Sequence, residues 1–437
     1  MAGVEFSVPG CGRFLYDGCT NRLLTVEEDA FIPEELLLAE METIVWRESL
    51  ETLKRKRERE LGSMVLQITR DCNLRCSYCA YSGNFNNMLP HEKIDMSLET
   101  LRDSIDFFME HSVDSPQISI VFYGGEPLLQ FEHIRMAVDY ADAFKRNVRY
   151  GISSNGLMLS RSVLEWLNGH PNVYITVTVN GEKHDDYRRT CGGKGSLQTI
   201  LSNLHYAREN YPRVWEEQIR LIANVVSTQE LSGLRDFYRR SIGKLPIMVT
   251  RVDFTGCEEA VSDQFRVDMQ QERIHGWQLR EEFISTGDPF LQTVFSEELD
   301  RIHSRSLVPE YYPGIIGSCM PLDWRLFVRT DGTFNMCEKV CDYLNLGNLS
   351  TGFDEERIEQ LYSDLYYFAN RNCRGCWAQR LCMYCYQDIV TESGRVIDSF
   401  LSERCEHVRE SILEALKMYI RVSRECPERL KTTETKQ

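Results

Sequence analysis

The sequence predicts an α/β protein: a partial (β/α)6 barrel, with a small N-terminal α+β segment before it and a cysteine-rich extension after it. Three observations predict this. Six short runs rich in β-branched residues alternate with amphipathic stretches between Met64 and Phe254. Motifs able to carry chemistry fall at the ends of the first four runs. The 16 cysteines of the 437 residues are uneven, three in one tight loop and eight crowded between Cys319 and Cys405.

The strands are MVLQIT (Met64–Thr69), ISIVFYGG (Ile118–Gly125), VRYGISS (Val148–Ser154), VYITVTV (Val173–Val179), IRLIANVV (Ile219–Val226) and IMVTRVDF (Ile247–Phe254). Breakers such as Gly and Asn follow them. Between them, SLETLRDSIDFFMEH (Ser97–His111) opens on a capping serine with Glu99 in the first turn, and FEHIRMAVDYADAFKR (Phe131–Arg146) has apolar residues at helical spacing. Strand–helix repetition implies right-handed crossovers and a parallel, TIM-like sheet, whose active sites gather at the C-terminal strand ends.

Residues 1–63 stand apart from the barrel. FSV, RFLYD and RLLTV read as short strands, GCTN (Gly18–Asn21) as a hairpin turn, and EEDAFIPEELLLAEM and WRESLETLKRKRERE as helices. The piece is expected either to expose a strand edge for an extended peptide or to cap the bottom or side of the barrel. The barrel is assigned to 64–255, linking helices to 256–317, the cysteine-rich extension to 318–407, and a C-terminal helix and tail to 408–437.

Net charge is −16 and pI about 5.2, which disfavours nucleic acid as a partner. The basic run Lys54–Glu60 is interleaved with Glu and reads as a solvated helix face. No 18-residue apolar run spans a membrane and no secretory signal opens the chain, so the expectation is a cytosolic protein with reduced thiols. Its cysteines then read as metal ligands or redox groups.

The stretch RDCNLRCSYCAY places Cys72, Cys76 and Cys79 at C-x3-C-x2-C, directly after the first strand. A closed structural metal site takes four ligands, so three leave a coordination position open. YGGEP (Tyr123–Pro127), SSNG (Ser153–Gly156) and TVNG (Thr178–Gly181) end or follow the next three strands, where glycines permit close backbone approach to a ligand.

Over about Met64–Phe254, CNLRCSYC, GGEP, SSNG and TVNG resemble the radical S-adenosylmethionine (radical SAM) enzymes. The resemblance implies a four-iron, four-sulfur (4Fe-4S) cluster on Cys72, Cys76 and Cys79. Its fourth iron would take the amino and carboxylate groups of S-adenosyl-L-methionine (AdoMet), and one electron would split the sulfonium to a 5′-deoxyadenosyl radical. It further implies that Gly124, Gly125 and Glu126 of the GGEP motif, with Pro127 closing it, hold the methionine amino group, and that Tyr78 lies near the adenine. Ser153 and Asn155 of SSNG belong to the same pocket. The usual S-L-D-G-P followed by H-D-x-x-R reads TVNGEKHDDYRR here, with Thr178, Asn180 and Glu182 in place of Ser, Asp and Pro; the resemblance implies Thr178, which keeps the hydroxyl, as a carboxylate ligand, and His184 and Arg188 match the pattern.

Ser318–His407 resembles the SPASM extension of peptide-modifying members of that family. C-x2-C-x5-C-x2-C runs through Cys373, Cys376, Cys382 and Cys385, where the usual last interval is C-x3-C. The resemblance implies two auxiliary clusters, making three 4Fe-4S clusters in all. Cys373, Cys376, Cys382 and Cys405 would hold the distal one; Cys319, Cys337 and Cys385 the proximal one, with Cys341 or substrate as its fourth ligand. Glu338, beside Cys337, sits where sulfatase-maturing relatives carry an acidic proton acceptor.

The function implied is a maturase that crosslinks a ribosomally made precursor peptide bearing a leader, a Cys thioether being favoured, with an electron donor such as flavodoxin or ferredoxin. Alternatives are a carbon–carbon crosslinker, an anaerobic sulfatase maturase forming formylglycine, and a zinc-stapled binding protein that is no enzyme. In the family, residues 1–63 would be a reduced leader-binding domain.

Overall fold

The N-terminal strands form an antiparallel meander of β1 (Gly3–Val8), β2 (Gly12–Asp17) and β3 (Arg22–Val26). The expected Gly18–Asn21 turn joins the last two, with Asn21 at φ 59°. This computed structural model describes residues 3–27, 49–85, 87–252, 254, 257, 266–307, 319–391, 393–397 and 402–430. The helix expected over EEDAFIPEELLLAEM lies almost wholly outside the described residues. The second expected helix is α1 (Leu50–Arg59), capped by Ser49, whose side chain accepts from the Thr52 N–H.

The barrel strands follow the sequence expectation. They are β4 (Ser63–Thr69), β6 (Ile118–Gly124), β7 (Val148–Ser154), β8 (Val173–Thr178), β10 (Ile219–Val225) and β11 (Met248–Arg251), with short β5 (Leu74–Cys76) and β9 (Arg188–Thr190) in two of the loops. The six long strands pair in parallel and in chain order. Crossover helices α2 (Leu98–His111), α3 (Phe131–Asp142), α4 (Arg161–Gly169), α5 (Leu197–Asn210) and α6 (Leu231–Phe237) cover one face. In β6, β7 and β10 burial alternates strictly. Ile120, Phe122, Ile152 and Leu221 pack in the core, while Tyr123, Ser153 and Asn224 take the half-buried phase.

The extension continues the barrel. After α7 (Met269–Thr286) and α8 (Pro289–His303), β12 (Arg325–Val328) adds to β4 in parallel, and β13 (Phe334–Asn335) adds antiparallel to β12. Helices α9 (Glu355–Asn372) and α10 (Ser402–Glu425) complete the C-terminal part. Among the described residues no helix is long and apolar enough to cross a membrane.

Two expectations need correction. The meander does not cap the barrel. Among the described residues Phe6, Val8, Phe14 and Tyr16 share a second core with Ile302 of α8, Trp377 and Leu381 of the extension, and Ile412 and Leu416 of α10, because these apolar faces have each other to bury. Nor is Lys54–Glu60 wholly solvated. Arg57 is buried, pairs with Glu355 at 2.6 Å, donates to the Tyr362 hydroxyl and lies over its ring, so its charge is matched inside.

Candidate functional site

The loop after β4 is stitched to GGEP. The N–H of Gly125 donates to the Thr69 carbonyl at 2.9 Å and that of Glu126 to the Asp71 carbonyl at 2.8 Å. A Cβ on either Gly124 or Gly125 would stand 2.0 Å from a backbone oxygen of this loop, which is why both positions are glycine. The expected grip on an amino group is therefore not through these N–H groups, which are already engaged. An ammonium needs acceptors, and carbonyls supply them.

Glu126 is fully buried, and its carboxylate accepts from the N–H of Leu128, the Ser154 hydroxyl and the N–H of Asn155 at 2.7–3.0 Å. Burial raises its pKa, and these bonds oppose the rise. Glu126 thus fastens the loop after β7. Asn155 in turn donates to Asn73 at 2.7 Å and approaches the Cys72 sulfur at 3.9 Å.

On the other side, β5 pairs with β9, setting Cys76 opposite Arg188. Tyr78 projects among three donors: Asn180 at 2.8 Å, Arg188 at 3.0 Å and Asn224 at 3.4 Å from its hydroxyl oxygen. Thr178 is buried at the end of β8, and Pro127 is buried at the start of the turn after β6. Glu126, Asn155 and Asn180, after three further strands, are thus hydrogen-bonded to the one loop that follows β4, while Ser153 is half-buried on β7.

Cys72 and Cys79 are pushed up to about 12, first by burial, with the neighbouring thiols adding to it. Burial raises Cys76 as well, against the pull of Arg188 and Arg75. The donor set fits a thiolate-bound cluster: three neighbouring thiols, Cys72 buried and Cys76 and Cys79 half-buried, have the Arg75 and Arg188 guanidinium groups beside them, and the Nε of Arg188 is buried without a partner. Among the described residues no three ligand-type side chains converge on one ion. That convergence is a mononuclear arrangement; cluster thiolates stand further apart because each binds a different iron.

The C-terminal cysteines divide electrostatically. Cys373 is raised by burial and then by Cys382, Cys376 and Cys405, while Cys382 is pushed up to about 11 with Cys376 and Cys405 among the causes. Cys385, also pushed up to about 11 by burial, feels Cys319, and Arg325 feels both Cys337 and Cys319. Cys341 is engaged elsewhere: it is fully buried, and its thiol donates to the Thr391 carbonyl at 3.1 Å.

Between the two regions stand Tyr81 and Tyr123, to which the sequence assigned no role, and Glu338. Tyr81 donates to the Glu338 carbonyl at 3.2 Å. Tyr123 packs beside Tyr81, Phe85 and Cys79, and its hydroxyl feels Glu338, Cys79 and Cys337, so burial and these charges raise its pKa. The Glu338 carboxylate pairs with Arg325 at 2.6 Å and lies 3.4 Å from the Cys337 sulfur. Asn73 and Tyr81 carried no separate signal; Asn224, a polar residue in the half-buried phase of β10, carried one that strand periodicity could have found.

Residues 66–217 match the family described as the Radical SAM superfamily. An uncharacterized Methanocaldococcus jannaschii protein is 31% identical over 180 residues, 40% of this chain and 57% of that protein. A serine-type anaerobic sulfatase-maturating enzyme of Bacteroides thetaiotaomicron is 30% identical over 152 residues, 34% of this chain and 36% of that enzyme. The chain thus spans between about a third and three fifths of these curated relatives. Native anSMEcpe with bound AdoMet has the same fold at TM-score 0.62 and 18% identity, covering 83% of this chain and 99% of that one. Streptococcus suis SuiB bound to precursor peptide SuiA follows at TM-score 0.51 and 14% identity, covering 91% and 97%. Residues 66–217 are therefore a radical SAM domain, set in a chain whose fold is shared with anSMEcpe and SuiB.

Proposed function

We propose that this protein is a radical SAM peptide maturase of the SPASM type, which installs a crosslink, most readily a Cys thioether, in a ribosomally made precursor peptide. The observation that carries this reading is the nearness of the two thiol groups. Tyr123 packs beside Cys79, and its hydroxyl feels Cys79, Cys337 and Glu338. Solved relatives with this fold hold peptides: anSMEcpe with Cp18Cys peptide, and SuiB with SuiA.

Cys72, Cys76 and Cys79 would hold the AdoMet-binding cluster, and the sets Cys373/Cys376/Cys382/Cys405 and Cys319/Cys337/Cys385 the two auxiliary ones. When bound, the first cluster and AdoMet would supply hydrogen-abstracting radical chemistry, with a flavodoxin or ferredoxin as the electron donor. The chain does the rest. Acceptors at Gly124 and Gly125 meet the amino group, and Thr178 and Arg188 meet the carboxylate. Tyr78 backs the adenine, with Ser153 and Asn155 lining the pocket. Glu338, held by Arg325, takes the substrate proton as the new bond forms. The engagement of Cys341 with Thr391 favours substrate as the fourth partner of the proximal set.

Mass spectrometry of a candidate precursor co-expressed with this protein tests the reading. Loss of two hydrogens per bond, with fragments that stay joined across the new bond and no aldehyde that reacts with a hydrazine, supports it. A hydrazine-reactive aldehyde at a Ser or Cys would instead assign the sulfatase-maturase activity carried by relatives from Bacteroides thetaiotaomicron and Clostridium novyi. No iron and no change would leave a zinc-stapled binding protein.

A further inference from the structure

We propose that His184 is a positioning residue of the AdoMet pocket: through Asn180 on one ring nitrogen and Ser196 and Arg188 on the other, it sets where the Tyr78 ring stands. The inference rests on the reading that this pocket takes AdoMet.

The chain of bonds has only one polarity. A main-chain N–H can only donate, so the Asn180 N–H, 3.1 Å away, makes Nδ1 of His184 the acceptor. Nε2 then carries the hydrogen and donates to the Ser196 hydroxyl oxygen at 3.1 Å. Ser196 passes its own hydrogen to the Arg188 carbonyl at 2.8 Å. His184 and Ser196 are fully buried, so water offers neither a substitute partner. Burial, with Arg188 second, pushes the imidazole down to about 3, which leaves it neutral and keeps one tautomer.

Both arms end on Tyr78. Asn180 cannot flip its amide, because its Oδ1 accepts from the Asn224 N–H at 3.0 Å, so its NH2 faces the Tyr78 hydroxyl. Arg188, fixed at its carbonyl, sends its guanidinium to the same oxygen. The supporting loop is built tightly. Asp185 accepts from the Ser196 and Leu197 N–H groups at the start of α5, and a Cβ on Gly195 would lie 2.3 Å from Asp185 Oδ2. Among the described residues the His184 ring hydrogen-bonds to Asn180 and Ser196, so its effect on the pocket runs through these neighbours.

The test uses anaerobically reconstituted protein as wild type, His184→Phe and His184→Gln. It reads the AdoMet Kd by equilibrium dialysis, the change in the reduced-cluster EPR signal on adding AdoMet, and iron per chain. His184→Phe is expected to weaken AdoMet about tenfold and to blunt the EPR change while iron per chain holds. Gln offers one acceptor and one donor, and should bring Kd back to within about threefold of wild type. Wild-type affinity in His184→Phe, no rescue by Gln, or iron falling together with affinity overturns the proposal. Should His184→Phe fail to fold, Ser196→Ala, which cuts only the Arg188 arm, must weaken AdoMet by about threefold, and unchanged binding overturns it. Absence of AdoMet binding by wild type would instead refute the reading of the pocket.

Discussion

Arg325 and Glu338 form an ion pair at 2.6 Å beside the Cys337 sulfur, and the main-chain carbonyl of the same Glu338 accepts from Tyr81 of the barrel loop. One residue thus binds the extension to the wall of the first cysteine site. As the proposed proton acceptor, it predicts a specific failure. Glu338→Gln should lower the rate of peptide modification by about a hundredfold or more, while 5′-deoxyadenosine still forms. Unchanged crosslinking in that variant removes Glu338 from the chemistry.

Iron counts separate the cysteine sets. Wild type should carry about 12 iron atoms per chain, and the joint replacement of Cys72, Cys76 and Cys79 by Ala about 8, with 5′-deoxyadenosine formation abolished. Loss of a set should likewise follow Cys373→Ala or Cys337→Ala.

Cys341→Ala should behave differently, because its thiol is bonded to the Thr391 carbonyl. Iron per chain is expected to stay at the wild-type value. A loss of about four irons would make Cys341 a ligand after all.

Gly124→Ala should be among the most damaging single substitutions in the barrel. The residue has φ +134°, and a Cβ would meet the Thr69 carbonyl oxygen at 2.0 Å. A loss of about 3 kcal/mol or more in denaturant unfolding is expected, together with poor cluster retention. Wild-type stability would mean that the loop after β4 can move away without cost.

His184 gives a pH signature. It stays neutral in the folded protein down to about 3, whereas its unfolded value is 6.5. Between those values the unfolded chain binds the extra proton, so stability falls as pH falls. The contribution is complete above 6.5 and is lost at about 1.4 kcal/mol per pH unit below it. The difference in urea stability between wild type and His184→Gln should therefore shrink by about 2 kcal/mol from pH 7.5 to pH 5. A constant difference would show that the imidazole becomes charged in place.

Local pattern made much of the barrel legible. β-branched runs with breakers located its six parallel strands to within a few residues, since strand propensity and turn chemistry act over short windows. Ser97 was legible as a cap because capping is settled within four residues, and its side chain accepts from the Thr100 N–H as expected. What did not read through was pairing across distance. β12 adds to β4 after more than 250 intervening residues, and β5 with β9 is a three-residue ladder, too short to show a period.

By itself the sequence determined which atoms are available and where the chain turns: three thiols after the first strand, glycines at GGEP, and a second crowd of cysteines. Only the tertiary structure decided what those atoms face. It engaged the GGEP N–H groups and the Glu126 carboxylate internally, drew Cys341 to Thr391, buried Arg57 against Glu355, and set the meander on the extension. The physical reason is that buried polar groups must find partners and apolar faces must find cover, and the nearest candidate in space is seldom the nearest in sequence.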